Sequence, residues 1–90
     1  MRIDKYLKVA RVLKRRVVAK ELAENERLLI NGRVAKASSE IKPLDEVTII
    51  FGHRELVIRI LEVKEHAKKE ETAAMYEVIS EKRNMQENDL

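Results

Sequence analysis

The 90-residue sequence has no cysteine, which removes disulfides, thiolate nucleophiles and cysteine-ligated zinc together. Aromatic side chains are nearly absent: Tyr6, Tyr76 and Phe51 make up the whole set. Proteins that grip single strands usually offer aromatic platforms for bases to stack on, and this chain has too few. Gly32 and Gly52 both read as hairpin glycines, so no glycine-rich loop is left to cradle a phosphate. With one proline and only those two glycines, the composition is not that of a disordered chain. No run reaches the length of a membrane span, and no apolar core of a signal peptide follows Met1-Arg2-Ile3-Asp4-Lys5. A cytoplasmic location without membrane contact is the expectation by elimination.

Negative charge is missing from one place in particular. The first twenty residues hold eight Lys/Arg against Asp4 alone. Residues 1–44 carry 12 basic and 5 acidic residues, and residues 45–90 carry 7 and 11, so a modest net charge of +3 hides two halves of opposite sign. A surface built only for solubility would mix its signs; separation points one face at a polyanion. Hydrophobic residues make up 44%, enough for one small domain with a modest core.

The apolar period divides the chain. Asp4 is placed to cap a short helix over residues 4–10, with Ile3, Leu7 and Ala10 turned inward. A second helix is predicted over residues 14–24, with Val18, Ala19, Leu22 and Ala23 as its inward stripe and Asn25 as its left-handed stop. The period then becomes that of strands. Leu28 to Ile30 leads into Asn31-Gly32, the strongest short hairpin signal, and Val34-Ala35 begins the return. Pro43-Leu44-Asp45 marks a turn, Glu46 to Phe51 a strand, Gly52-His53 a second hairpin and Arg54 to Val63 a longer strand. Residues 72–79 are compatible with a helical turn, a short strand or both. The fold class is therefore α+β, with two N-terminal helices packed on a small, mostly antiparallel, twisted sheet. Residues 1–63 form the binding domain, 64–80 an extension packed on or continuing the sheet, and 81–90 a flexible tail.

The helical pair presents Arg2, Lys5, Lys8, Arg11, Lys14, Arg15, Arg16 and Lys20, the cations that phosphate oxygens favour. Arg15 and Arg16 fall near the start of the second helix, where free backbone N–H groups add to the attraction. Arg2, Arg15 and Arg16 are expected at the centre of the contact, with Arg16 as a surface residue whose removal leaves the fold intact. Asp4 doubles as a partner that could orient Arg2 or Lys5. His53 and His66 match no metal spacing and read as exposed; Ser38-Ser39 has no histidine base nearby in sequence. No catalytic pair, metal site or cofactor motif stands out, so a binding protein is expected and an enzyme is not. Scarce aromatics favour structured RNA, met through phosphates, shape and 2′-hydroxyls, and composition is also compatible with double-stranded DNA.

Three stretches carry a resemblance: Arg2-Ile3-Asp4-Lys5-Tyr6-Leu7; Lys14-Arg15-Arg16 with Ala19 and Leu22; and Arg27-Leu28-Leu29-Ile30-Asn31-Gly32-Arg33-Val34. With Lys36 to Pro43 and Asp45-Glu46-Val47, they resemble the RNA-binding domain family named after ribosomal small-subunit protein four. The whole chain, including Lys69 to Tyr76, is similar to that family's short stand-alone branch, the RqcP/YabO proteins, which are related to the fifteen-kilodalton heat-shock protein. The resemblance implies binding to 23S rRNA and to peptidyl-tRNA on obstructed large ribosomal subunits, in ribosome-associated quality control. It implies RqcH, a NEMF-type factor that adds alanine tails to stalled chains, as a partner. It carries an RNA-contacting role onto Arg2, Asp4, Lys5, Arg11, Arg15 and Arg16, while the basic pattern adds Lys8, Lys14, Lys20, Arg33 and Lys36. A monomer without cofactor is expected. A general RNA- or DNA-binding protein and a structural ribosomal protein stay open as alternatives.

Two positions depart from the family pattern. Leu44 stands where glycine usually follows proline, and Asn25-Glu26 where glycine is common. A leucine at positive φ costs about 1 kcal/mol or more, so the turn is expected to relax to type I with Leu44 at negative φ.

Overall fold

Helix α1 (Ile3–Val9) starts one residue before the expected position, and its cap is not Asp4. The computed structural model describes residues 1–83. Arg2 holds the cap position without a side-chain cap bond, and Asp4 lies inside the first turn. The loop ahead of β3 caps the helix instead: Ile3 N–H donates to the Ser39 carbonyl at 2.8 Å and Asp4 N–H to that of Ala37 at 3.3 Å. These bonds satisfy orphan donors of the helix start and free the Asp4 carboxylate to turn inward. Ile3, Tyr6, Leu7 and Ala10 recur at helical spacing and are all buried.

Helix α2 (Arg16–Glu24) begins two residues later than expected and packs on α1, with Ala19 and Leu22 buried. Its stop also moves by one. Asn25 keeps φ at −98°, and Glu26 takes the left-handed position at φ 58°. Glu26 N–H donates to the Ala23 carbonyl and Arg27 N–H to that of Leu22, at 3.1 and 2.8 Å. Those two bonds are the Schellman pattern, which puts the left-handed residue one place beyond the helix cap. Asn25 turns its amide back onto the Glu21 carbonyl.

The strands β1 (Leu28–Ile30), β2 (Arg33–Val34), β3 (Glu46–Phe51), β4 (Arg54–Ile60) and β5 (Tyr76–Arg83) form one open sheet in the order β2-β1-β3-β4-β5. Every neighbouring pair is antiparallel. Asn31 and Gly32 both take positive φ, as the two-residue β1–β2 hairpin requires. One face of the sheet carries Leu28, Val47, Ile49, Ile58 and Ile60 into a core shared with Ile3, Tyr6 and Leu7 of α1. Residues 69–74 form a 3-10 turn that feeds β5, so the ambiguous stretch is a helical turn followed by a strand. The Tyr6 hydroxyl donates to the Met75 carbonyl at 2.8 Å and ties α1 to the end of that turn.

β5 runs to Arg83, so residues 81–83 are not part of a loose tail. β4 offers a full edge to pair with, and Arg54 forms an ion pair with Glu81 across the two strands. Residues 84–90, the rest of the expected tail, lie outside the described residues.

The turn before β3 is type II, not type I. Leu44 has φ 77°, and Asp45 N–H closes the turn on the Lys42 carbonyl. The reason is a long-range bond: Leu44 N–H donates to the Ile60 carbonyl at 2.7 Å. Types I and II differ by a flip of the peptide between the two central residues. Relaxing to type I would turn that N–H away from β4. Asp45 locks the corner further, accepting from Lys42 N–H, Lys42 Nζ and Asn31 Nδ2. The strain at Leu44 is smaller than what these bonds hold in place.

Candidate nucleic-acid interface

Asp4 is the only acidic residue among the first twenty and is fully buried. Arg2 Nη2 lies 3.2 Å and Arg16 Nε 3.1 Å from Asp4 Oδ2, and Lys5 N–H donates to Oδ1 at 2.8 Å. Arg16 Nε is itself buried and has no well-aligned hydrogen bond, so the contact is an ion pair that only Asp4 supplies. Burial alone would raise the Asp4 pKa. The Arg16 guanidinium, the Lys5 N–H and the Arg2 charge outweigh it and hold the carboxyl below its ordinary 3.8. The two arginines keep 47% and 40% of their side chains exposed. A buried carboxylate thus fixes two guanidinium groups at the surface where α1 meets α2. Arg16 is not the free surface residue the sequence suggests, because it belongs to the pair that makes Asp4 burial tolerable.

The other cations gather on either side of this anchor. Arg2, Lys20 and Lys36 border an open concavity between α2 and the loop that caps α1. Lys8, Arg11 and Lys14 border a second one at the α1–α2 turn, together with Glu65 and His66. Arg11 takes φ 61° there, a strained setting for a non-glycine residue and one often met at functional sites. Arg15 occupies the cap position of α2, whose first turn has neither a side-chain cap nor an acidic residue, so no side chain of the helix itself offsets the positive end of its dipole. Lys5 is taken by Glu65, not by Asp4. Arg33 is exposed on β2 and borders neither concavity.

Sequence reasoning missed the Asp4–Arg16 pair and the entry of Glu65 and His66 into the basic face. The signal for the first is the isolation of one carboxylate among eight cations. The second has only a charged connection to announce it. Among the described residues, no group of three His, Cys, Asp or Glu side chains could hold a metal ion, and no helix is long and apolar enough to cross a membrane.

The sequence and the fold both match a known class. The sequence pattern of the S4 domain matches residues 1–47. The chain is 53% identical over 83 residues to the RQC P-site tRNA stabilizing factor of Streptococcus pneumoniae, covering 92% of this chain and 94% of that protein. It is 49% identical to the protein of the same name from Bacillus subtilis, covering 92% and 96%. The chain belongs to the S4-domain family, in the branch formed by the RQC P-site tRNA stabilizing factors. That name describes a stabilizing factor, not a catalyst. The fold is also similar to heat shock protein 15 of Vibrio cholerae, whose structure is described as trimeric, with a TM-score of 0.80 and 28% identity over 89% of this chain and 82% of that one.

Proposed function

We propose that the protein binds the P-site tRNA and the 23S rRNA of obstructed large ribosomal subunits in the cytoplasm, and that it supports alanine tailing of stalled chains by RqcH. The carrying observation is the pair of half-exposed arginines, Arg2 and Arg16, anchored on the buried Asp4 carboxylate. A guanidinium held in place meets a phosphate with little entropy left to lose, and its planar fork matches phosphate oxygens. Lys20 and Lys36 on one side, and Lys8, Arg11 and Lys14 on the other, extend the contact along a folded RNA. Arg15 adds charge at the α2 start, and Arg33 reaches the same partner from the hairpin. The name carried by the relatives supports tRNA in the P site as the ligand.

Gradient sedimentation of cell extracts tests this reading. The protein should travel mainly with free large subunits, and deleting it should shorten the alanine tails on stalled chains. Even distribution over all ribosomes would favour a structural ribosomal protein. Absence from every ribosomal fraction would favour a general nucleic-acid binder.

A further inference from the structure

The S4-domain match ends at residue 47, yet a carboxylate from beyond it lies within the basic face. Glu65 pairs with Lys5 and borders the same concavity as Lys8, Arg11 and Lys14. Its place is built into the fold. Val63 and Ala67 on either side pack against the core, and the N–H groups of Leu61 and Glu62 both donate to the Met75 carbonyl, at 2.8 and 3.0 Å. The Lys5 ammonium holds the Glu65 carboxyl below its ordinary value, so it is ionised at neutral pH.

A carboxylate among phosphate-binding cations repels phosphate, so a purely electrostatic surface gains nothing from it. Its pair with Lys5 is exposed, and such pairs are separated at small cost. What an ionised carboxylate can do is accept a hydrogen bond and only that. A-form RNA presents one O–H donor per nucleotide, the ribose 2′-hydroxyl, in its wide and shallow minor groove. The neighbouring phosphates lie on the same surface.

We propose that Glu65 makes this cleft select RNA: its carboxylate accepts a ribose 2′-hydroxyl while Lys8, Arg11 and Lys14 hold the adjoining phosphates. The inference rests on the RNA-binding reading above and goes further, naming the group that is read and a residue outside the matched domain that reads it.

The test is a set of titrations at fixed salt with the full chain and its Glu65→Ala variant. The ligands are an A-form RNA hairpin, the same hairpin 2′-O-methylated along its stem, and linear inorganic polyphosphate. Methylation removes the donor and keeps the A-form geometry and the charge. Wild type should bind the methylated hairpin roughly tenfold more weakly, the scale of one charge-assisted hydrogen bond. Glu65→Ala should bind both hairpins alike and hold polyphosphate about two- to fivefold tighter than wild type, the range of an exposed charge pair. Glu65→Gln, which keeps an acceptor oxygen without the charge, should discriminate between the two hairpins less than wild type and more than Glu65→Ala. The proposal is overturned if wild type does not distinguish the hairpins. It is also overturned if Glu65→Ala tightens both equally and keeps the wild-type ratio, since Glu65 would then act by repulsion alone. Failure of wild type to bind either hairpin would instead remove the RNA-binding reading, and this inference with it.

Discussion

The helical half and the sheet half both carry arginine and lysine, in different company. On the sheet, Arg59 lies between Glu46 and Glu77, at 3.1 and 2.6 Å, and Arg54 meets Glu81. Lys64 has Glu71 and Glu62 within 3.4 and 3.8 Å. In the helical half, Lys8, Arg11, Lys14, Arg15, Lys20 and Lys36 are exposed, and none of them forms an ion pair among the described residues. Charges paired across strands serve solvation and register. Crowded cations that form no ion pair repel one another, and a polyanion relieves that repulsion on binding. The proposal that the partner meets the helical half rests on this contrast and not on the net charge.

Salt is expected to have the largest effect on the binding of the helical half. If about 4–6 phosphates are engaged, log affinity for a structured rRNA fragment should fall against log salt with a slope of about −3 to −5. Replacing Arg54 and Arg59 by alanine should leave that slope unchanged. A slope near zero in the wild type would mean that the free cations of the helical half are not the contact.

A smaller effect is expected at the anchor. Asp4→Asn leaves Arg16 Nε buried beside a neutral amide and should cost about 2–3 kcal/mol, below the full buried-pair range because both arginines reach solvent. Ribosome binding should weaken with it, as Arg2 and Arg16 lose their fixed positions. The pH dependence carries a sign. The Asp4 pKa is lower in the folded state than its ordinary 3.8. Its contribution is therefore complete above that value and is lost as pH falls through the folded pKa. Denaturation of wild type should show stability declining below about pH 4. Asp4→Asn should show a shallower decline, with the remainder traced to Asp45, Glu65 and Glu71, whose pKa values are also lowered.

Much of the fold was legible because its signals are local. Helical spacing from Ile3 to Ala10, the Asn31-Gly32 hairpin and the alternation through β3 and β4 each state their own conformation. The misreadings share a cause, which is a partner distant in sequence. Asp4 is freed from capping by carbonyls of the 37–39 loop. Leu44 is held at positive φ by the Ile60 carbonyl, and residues 81–83 are ordered by the β4 edge. Of the candidate site, the list of cations was readable, and so was Asp4 as a partner for Arg2. The Asp4–Arg16 pair joins two helices and the Lys5–Glu65 pair spans sixty positions, and neither has a pattern in the sequence.

The smallest effect belongs to the corner of the sheet. Leu44→Gly should stabilise the fold by about 1 kcal/mol, since glycine removes the left-handed penalty at an exposed position while losing some entropy of its own. RNA affinity should not change, because the turn lies away from both basic concavities. Thermal unfolding and one titration check both halves of that statement. A loss of stability would mean that the Leu44 side chain contributes more than its exposed position suggests.

The helical face, with its guanidinium groups fixed on Asp4, is the part of the molecule proposed to meet the ribosome. Pelleting with large subunits at fixed salt tests that role, using wild type, Arg16→Ala and the double variant Lys82→Ala/Arg83→Ala, with circular dichroism as the check on each fold. Arg16→Ala should weaken association by roughly 10- to 100-fold, the scale of a lost charge-assisted hydrogen bond. It should also cost some stability, because Asp4 keeps only Arg2 as its charged partner. The double variant on β5 should pellet like wild type. Loss of binding in the β5 variant with Arg16→Ala unaffected would place the RNA surface on the sheet and contradict the account.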